Sequence, residues 1–272
     1  MRCALFLPIF GELSEPRRVA ELAAEAEAAG FDGMFVWDHV LYHDPVVDIG
    51  DPWVTLAAIA CATERIRLGP MVTPVPRRRP QRLARETVAV DRLSGGRLVF
   101  GAGLGGDPGR ELSALGEETD PVARAHLLDE GLSLLEAMWS GDRVDHPGPR
   151  FRAEGVRFRP TPLQRPRIPV WLGARYPHRR PVRRAARYDG VFPIGLDGPE
   201  ALRELVEVVR TCRPAELVDR PFDVAVQGIA GQSPAGWAEA GATWWLVRFE
   251  PYTVTAAEVR DAIAAGPPGR AR

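Results

Sequence analysis

Short apolar runs alternate with amphipathic stretches along almost the whole chain, and this alternation limits the possible folds more than any other feature. The apolar runs predict eight strands, each followed by a segment with helical spacing of its apolar residues. Strands that alternate with helices pair in parallel through right-handed crossovers. The eight runs are Cys3–Ile9, Met34–Trp37, Ile66–Val72, Leu98–Phe100, Val170–Leu172, Val191–Pro193, Phe222–Val226 and Trp244–Phe249.

Eight such units in 272 residues match the size of a (β/α)8 barrel. We therefore predict an α/β fold, a single-domain (β/α)8 TIM barrel over residues 1–272, with an open doubly wound sheet as the alternative. Ser14 is the expected N-cap of the first helix, ahead of Pro16. The alternation breaks only at about 141–169, where Pro, Gly and Arg predict an irregular hairpin and an extended connection.

Composition excludes several classes of protein. All 35 basic residues are arginine, so enzymes that need a Schiff-base lysine, a pyridoxal-phosphate anchor or a P-loop lysine are ruled out. A net charge of -1 argues against a nucleic-acid partner, and the three scattered cysteines argue against zinc and disulfides. Neither a signal peptide nor an apolar run of membrane-spanning length is recognisable, so we expect a cytoplasmic protein that does not enter membranes.

Active sites of such barrels lie on the loops that follow the strands. That rule selects Asp38-His39, Val72–Pro74, Gly103–Asp107, Gly173–Arg175 and Pro193–Gly195. A catalytic or cofactor-contacting His39 is favoured over a hydrogen-bonded loop histidine. A metal bound by His39 and His43 is disfavoured, because no third strong ligand stands out, and we expect no metal site.

Two glycine-containing loops are candidates for binding a ligand. Gly101–Gly106 matches G-x-G-x-x-G, but no helix follows directly, so a dinucleotide site is rejected. Two explanations of these glycines stay open: close approach of the backbone to a flat ligand or a phosphate, and a plain glycine turn. Gly173-Ala174-Arg175 precedes a helix starting near His178 and suits a phosphate. The Arg77–Arg79 cluster is more typical of a solvated loop than of a ligand clamp.

The segment Trp53–Ala62 is apolar nearly all round and indicates burial against neighbouring helices or at the interface of a homodimer, which we favour slightly. An apolar substrate pocket has five aromatic candidates, although most aromatic residues of this kind belong to the core. They are Trp37, Tyr42, Trp53, Phe192 and Trp245.

The sequence resembles the bacterial luciferase-like flavin-dependent oxidoreductases from residue 4 to about 194, and more weakly to Gly241–Trp245. Four segments carry the resemblance. They are AEAEAAGFDGMFVWDHV (Ala24–Val40), DPWVTLAAIACATERIRLGPMVTPVPRRRP (Asp51–Pro80), LARETVAVDRLSGGRLVFGAGLGGD (Leu83–Asp107) and RPRIPVWLGARYPHRRPVRRAARYDG (Arg165–Gly190).

This resemblance implies a barrel that binds reduced FMN, or the deazaflavin coenzyme F420, at the carboxyl ends of the strands. It places His39 beside the reactive face of the ring, and we expect Asp38 to set the tautomer of His39. It also implies a bulge in the third strand, often with a non-prolyl cis peptide. The implied cofactor contacts are the bulge Met71-Val72 with Thr73, the loop Gly103, Leu104, Gly105 and Gly106, and the phosphate loop Gly173, Ala174 and Arg175.

The sequence also departs from the family pattern. Gly106 stands where related deazaflavin dehydrogenases often carry a proton-donating glutamate, Ala174 replaces a second glycine, and the chain is shorter than typical members. We therefore favour a two-component monooxygenase, which oxidises a small organic substrate with O2 and with reduced FMN supplied by a separate reductase. The alternatives are F420-dependent hydride transfer and a non-catalytic flavin-binding barrel.

Overall fold

The computed structural model describes residues 1–269, in which parallel strands form a barrel. The strands are β1 (Arg2–Leu7), β2 (Gly33–Val36), β3 (Arg67–Pro70), β4 (Thr73–Pro74), β5 (Phe100–Gly103), β8 (Val170–Arg175), β9 (Gly190–Ile194), β10 (Asp223–Gly228) and β11 (Trp244–Arg248). Their order is β3-β2-β1-β11-β10-β9-β8-β5-β4. Met71 and Val72 split the third barrel strand into β3 and β4, and a bridge between Leu68 and Leu98 closes the ring beside β5. The predicted barrel is confirmed.

A helix follows each of the eight barrel strands, as the alternation predicts. Several begin with proline at the first turn, where the missing N–H costs no hydrogen bond. The prediction of Ser14 as the first N-cap is wrong, because the Glu15 carboxylate accepts the N–H of Arg17 while Ser14 bonds Gly11. The helices are α1 (Pro16–Ala28), α2 (Pro52–Ala62), α3 (Pro80–Leu93), α4 (Pro121–Ser140), α5 (Arg179–Ala185), α6 (Pro199–Cys212), α7 (Ala235–Glu239) and α8 (Ala256–Ala265).

The core has two layers, because alternate residues of a strand face opposite sides. Phe35, Trp171 and Trp244 pack on one another inside the barrel. Their neighbours in sequence pack outward against the helices. Trp53 and Trp245 belong to this outer layer, so for these two candidates the explanation by core packing holds.

The segment after α4 begins with an antiparallel hairpin of β6 (Arg143–Pro147) and β7 (Arg152–Arg157). Glu130 of α4 fastens the hairpin, since its carboxylate accepts the Phe151 N–H at 2.8 Å and contacts His146 Nε2 at 3.2 Å. Within residues 1–269, no helix is both long and apolar enough to cross a membrane.

Candidate active site

Charged side chains meet at the end of the barrel where β2 and the split third strand terminate. Asp38 and His39 follow β2, and Arg77 and Arg78 follow β4. Since β2 pairs with β3, the parallel topology brings these loops together. Glu111, from the loop after β5, joins them and is fully buried.

Glu111 holds both His39 and its backbone neighbour. Its Oε1 lies 3.0 Å from His39 Nδ1, and its Oε2 accepts the Val40 N–H at 3.1 Å and a hydrogen bond from Arg77. Burial alone would raise the pKa of Glu111, but the hydrogen bond from His39 and the charges of His39 and Arg77 outweigh it and keep the pKa below its ordinary value. An ionised carboxylate only accepts hydrogen bonds, so His39 Nδ1 carries the proton.

Asp38 contacts arginines and a threonine, and its carboxylate is not the group that orients His39. It accepts hydrogen bonds from Thr73 Oγ1 at 2.8 Å, from Arg77 at 2.7 Å and from Arg78 at 2.9 Å. The expectation that Asp38 sets the tautomer of His39 is therefore corrected, because Glu111 occupies that position. Asp38 instead ties the ends of β2 and β4 together.

The assignment of Arg77–Arg79 to a solvated loop is wrong for its first two members. Arg77 is only 5% exposed and bridges Asp38 and Glu111. The two carboxylates and the Arg77 and Arg78 guanidinium groups balance one another, as buried charges require. The pairing of β2 with the first half of the split third strand was a usable signal for the Asp38–Arg77 pair, because the loops after neighbouring parallel strands lie side by side.

Glu111 was missed because 72 residues separate it from His39 and it lies outside any strand or α-helix. One local signal was available, because Glu111 is an acidic residue that follows the glycine loop Gly103–Gly106 by five positions. Asp107 turns the chain there, since its carboxylate accepts the Leu112 N–H at 2.6 Å and so fixes the residue next to Glu111.

Four aromatic side chains pack together beside His39, and we call them the aromatic wall. Its members are Phe10, Trp37, Tyr42 and Tyr252, which come from the loops after β1, β2 and β11, and the ring centroids of Tyr42 and His39 are 5.1 Å apart. Burial, the contact with Tyr252 and nearby acidic groups raise the pKa of the Tyr42 hydroxyl, which keeps its proton. Two of the predicted pocket aromatics, Trp37 and Tyr42, thus lie at the site. Phe192 packs against Phe6 just inside the barrel.

A platform formed by Val72 and two glycines lies next to this network. A Cβ on Gly103 would come within 2.6 Å of the Val72 side chain, and one on Gly173 within 3.3 Å. The two glycines at the ends of β5 and β8 therefore leave room for the Val72 side chain to lie over them. The Met71–Val72 peptide is cis, at the position expected from the resemblance. These residues fit a flat ring laid against Val72.

The glycine loop after β5 is held in place by a side chain of the helix that follows it. Arg124 of α4 donates to the carbonyls of Leu104 and Gly105, at 3.4 and 2.9 Å. Gly105 has a φ of +74°, and a Cβ there would lie 2.8 Å from Pro74, so this position suits only glycine. Gly106 lies beyond this fixed part of the loop, close to Pro108.

The expected phosphate loop differs in one respect. Gly173, Ala174 and Arg175 are not in a loop, because they are the last residues of β8 and pair with β9. The connection between β8 and α5 is the short turn Tyr176–His178. Ala174 is buried and Arg175 is exposed. Among residues 1–269, no group of three or more His, Cys, Asp or Glu side chains is arranged to hold a metal ion.

The sequence model described as luciferase-like monooxygenase matches residues 1–260. The chain belongs to this family. The resemblance seen in the four sequence segments is therefore confirmed.

Curated relatives match part of the chain. An F420-dependent glucose-6-phosphate dehydrogenase of Nakamurella multipartita is 32% identical over 168 residues, 60% of this chain and 48% of that protein. A phthiodiolone/phenolphthiodiolone dimycocerosates ketoreductase of Mycobacterium tuberculosis is 31% identical over 172 residues, 61% of this chain and 44% of that protein. The chain thus spans about half the length of the curated relatives it matches.

Solved structures share the fold. The coenzyme F420-dependent tetrahydromethanopterin reductase of Methanopyrus kandleri superposes with a TM-score of 0.75 at 16% identity, covering 98% of both chains. The monooxygenase RslO1 of Streptomyces bottropensis gives 0.71 at 21% identity, covering 98% of this chain and 80% of its own. These identities establish the barrel fold alone.

Proposed function

We propose that this chain is a hydride-transfer oxidoreductase that uses coenzyme F420, with His39 as the residue that exchanges a proton with a small alcohol or carbonyl substrate. The observation that carries this proposal is the buried His39–Glu111–Arg77 network. It fixes His39 with one ring nitrogen bonded and the other without a partner in residues 1–269. This differs from the monooxygenase favoured by the sequence alone.

The network suits a proton transfer that accompanies hydride transfer. Oxidation of an alcohol releases a proton from its hydroxyl as the hydride leaves its carbon, and reduction of a carbonyl needs the reverse. His39 Nε2 can accept or donate that proton, because Nδ1–H is committed to Glu111. Glu111 stays ionised and stabilises the imidazolium when it forms.

The absence of a glutamate at position 106 is therefore no argument against hydride transfer. A buried carboxylate is supplied five residues later, by Glu111, and it reaches the site through His39. The two curated relatives above are named as an F420-dependent dehydrogenase and as a ketoreductase, and both names describe hydride-transfer chemistry.

Cofactor binding would rest on the platform around Val72. Val72, which lies over Gly103 and Gly173, would support the ring, Thr73 would keep Asp38 in place beneath it, and Arg175 would lie at the phosphate end. When bound, the deazaflavin accepts or supplies the hydride. The protein supplies the orientation of the substrate and the proton.

A two-component monooxygenase using reduced FMN and a separate reductase is the second candidate. The favouring observation is that no acidic side chain stands on the loop Gly103–Gly106 itself, so the ring would be flanked there by backbone and by Leu104 alone. Of the proteins that share the fold, RslO1 is a monooxygenase.

An anaerobic titration separates the candidates. Purified protein is mixed in parallel with F420 and with reduced FMN, and binding is followed by fluorescence. We expect tight F420 binding and bleaching of the F420 absorbance when an alcohol of the right class is added. In a parallel aerobic assay, substrate-dependent oxygen consumption with reduced FMN alone would overturn this proposal in favour of the monooxygenase. A cofactor that binds without any turnover across substrate panels would indicate a flavin-binding barrel without catalysis.

A further inference from the structure

A groove of about 590 Å³ lies between the first turns of α4 and α5, at the same end of the barrel as the candidate site. Its walls are largely apolar, formed by Leu104, Pro121, Val122 and Ala125. Val122 is 56% exposed there, so the floor of the groove presents apolar surface to the solvent. The groove is separate from the aromatic wall beside His39.

The rim of the groove carries uncompensated positive charge. Arg179 and Arg180 line it, are exposed, and form no ion pair among residues 1–269. The acidic residue in the lining, Asp129, is already neutralised, since its carboxylate accepts from Arg184 at 2.6 Å and from Arg187 at 3.3 Å. Two free guanidinium groups above an apolar floor suit a flexible chain that bears carboxylate or phosphate groups.

The groove lies directly outside the cofactor platform. Leu104 belongs both to the groove and to the glycine loop after β5, and Arg175 ends β8 only four residues before Arg179. Since β5 and β8 are paired, a ligand whose ring lies on Val72 and whose phosphate lies near Arg175 would leave the barrel at this point. His39 lies on the far side of the platform, beyond the split third strand.

The geometry points to a tail site: this groove binds the acidic extension of F420, the glutamate chain joined to the ring system through a phosphodiester. This inference rests on the proposed function and adds the means by which F420 is chosen over FMN. FMN ends at its phosphate and has nothing to place between Arg179 and Arg180. The apolar floor would contact the methylene groups of the glutamates.

Charge-neutral variants of the groove test the inference. Arg179→Gln/Arg180→Gln removes both free charges, and Arg150→Gln/Arg183→Gln is the matched control. Arg183 is on the same helix but outside the groove, Arg150 is on the hairpin, and the side chains of both are exposed without an ion pair in the described part of the chain. The Kd is measured for F420 with several glutamates and for its riboside, which lacks the phosphodiester and the tail.

The groove variant is expected to bind F420 about tenfold more weakly than the wild type, as two partly exposed charge pairs predict. Its affinity for the riboside should be unchanged, and the control should match the wild type for both ligands. The tenfold loss should shrink in 0.5 M salt, where exposed pairs are screened. Unchanged F420 affinity, or an equal loss for riboside or control, would overturn the tail site alone. Failure of the wild type to bind either deazaflavin would overturn both this inference and the proposed function.

Discussion

Glu111→Gln tests whether the buried network serves catalysis or only the fold. The substitution keeps the shape of the side chain and removes its charge. Arg77 then keeps only Asp38 as a carboxylate partner, and the new amide group competes with the Arg77 and His39 donors. His39 also loses the charge that fixes its Nδ1 proton.

The expected cost in stability follows from the burial of the pair. Removing one partner of a buried ion pair costs about 3–5 kcal/mol, and the remaining Asp38 contact reduces this to about 2–3 kcal/mol. For a chain of this size the melting temperature should fall by about 5–10 °C. Turnover should fall about 100-fold at temperatures where the variant is folded, because a positioned proton donor contributes at least that factor.

Glu130→Gln is the matched control, because Glu130 also pairs with a histidine and with backbone N–H groups, on the hairpin far from the site. It should lose stability and keep turnover. The assay is steady-state kcat with F420 over a pH series, alongside thermal melting. Wild-type kcat and an unchanged pH profile in Glu111→Gln, or an equal loss of kcat in Glu130→Gln, would refute the assignment of Glu111 to the catalytic network.

The pH dependence of stability gives an independent check. The pKa of Glu111 is lower in the folded protein than its ordinary value of 4.5, so its ionisation stabilises the fold above that value. This contribution disappears as the pH falls through the folded pKa. The difference in melting temperature between wild type and Glu111→Gln should therefore be constant near neutrality and narrow in acid below 4.5.

Three further predictions follow from the structure. His39→Gln should lower kcat about 100-fold or more while leaving the Kd of F420 within about threefold, since His39 acts on the proton and not on cofactor binding; equal losses in kcat and affinity would contradict this. Gly103→Ala should weaken cofactor binding strongly, because its Cβ would lie 2.6 Å from Val72 and would displace the side chain that supports the ring, whereas Gly236→Ala, which meets only ordinary contacts, should bind normally in the same fluorescence titration. Val54 is 58% exposed on the apolar helix α2, and we expect it at the interface of the predicted homodimer. Light scattering should therefore report a dimer that Val54→Arg dissociates. A monomeric wild type would refute the interface.

The sequence specified the barrel well because two different periods coexist in it. Apolar runs of strand length and stripes of helical spacing mark every barrel strand and every following helix, and prolines at first turns mark helix starts. The topology then places His39, Val72, Gly103 and Gly173 at one end of the barrel. These are the parts of the site that local pattern and strand order determine.

Contacts between loops were not predictable in the same way. Three adjacent arginines in a proline-rich loop have the composition of a solvated segment, and only the burial of Asp38 and Glu111 makes Arg77 an interior residue. Whether Asp38 or Glu111 would reach His39 depends on the path of the loop after β5, which no periodicity encodes. The adjacent pair Asp38-His39 suggested a short-range contact, but the contact that formed spans 72 residues.

The aromatic wall and the charged network differ in how freely they can change. Each charged residue of the network needs at least one other, so single substitutions there are costly and a new arrangement would require several changes at once. Phe10, Tyr42 and Tyr252 contact one another through their rings, which other apolar side chains can replace without leaving a buried charge unpaired, and they come from loops after three different strands. Libraries that vary these three positions should therefore alter substrate range while the proton chemistry stays intact, which makes the wall the natural starting point for directed evolution of this barrel.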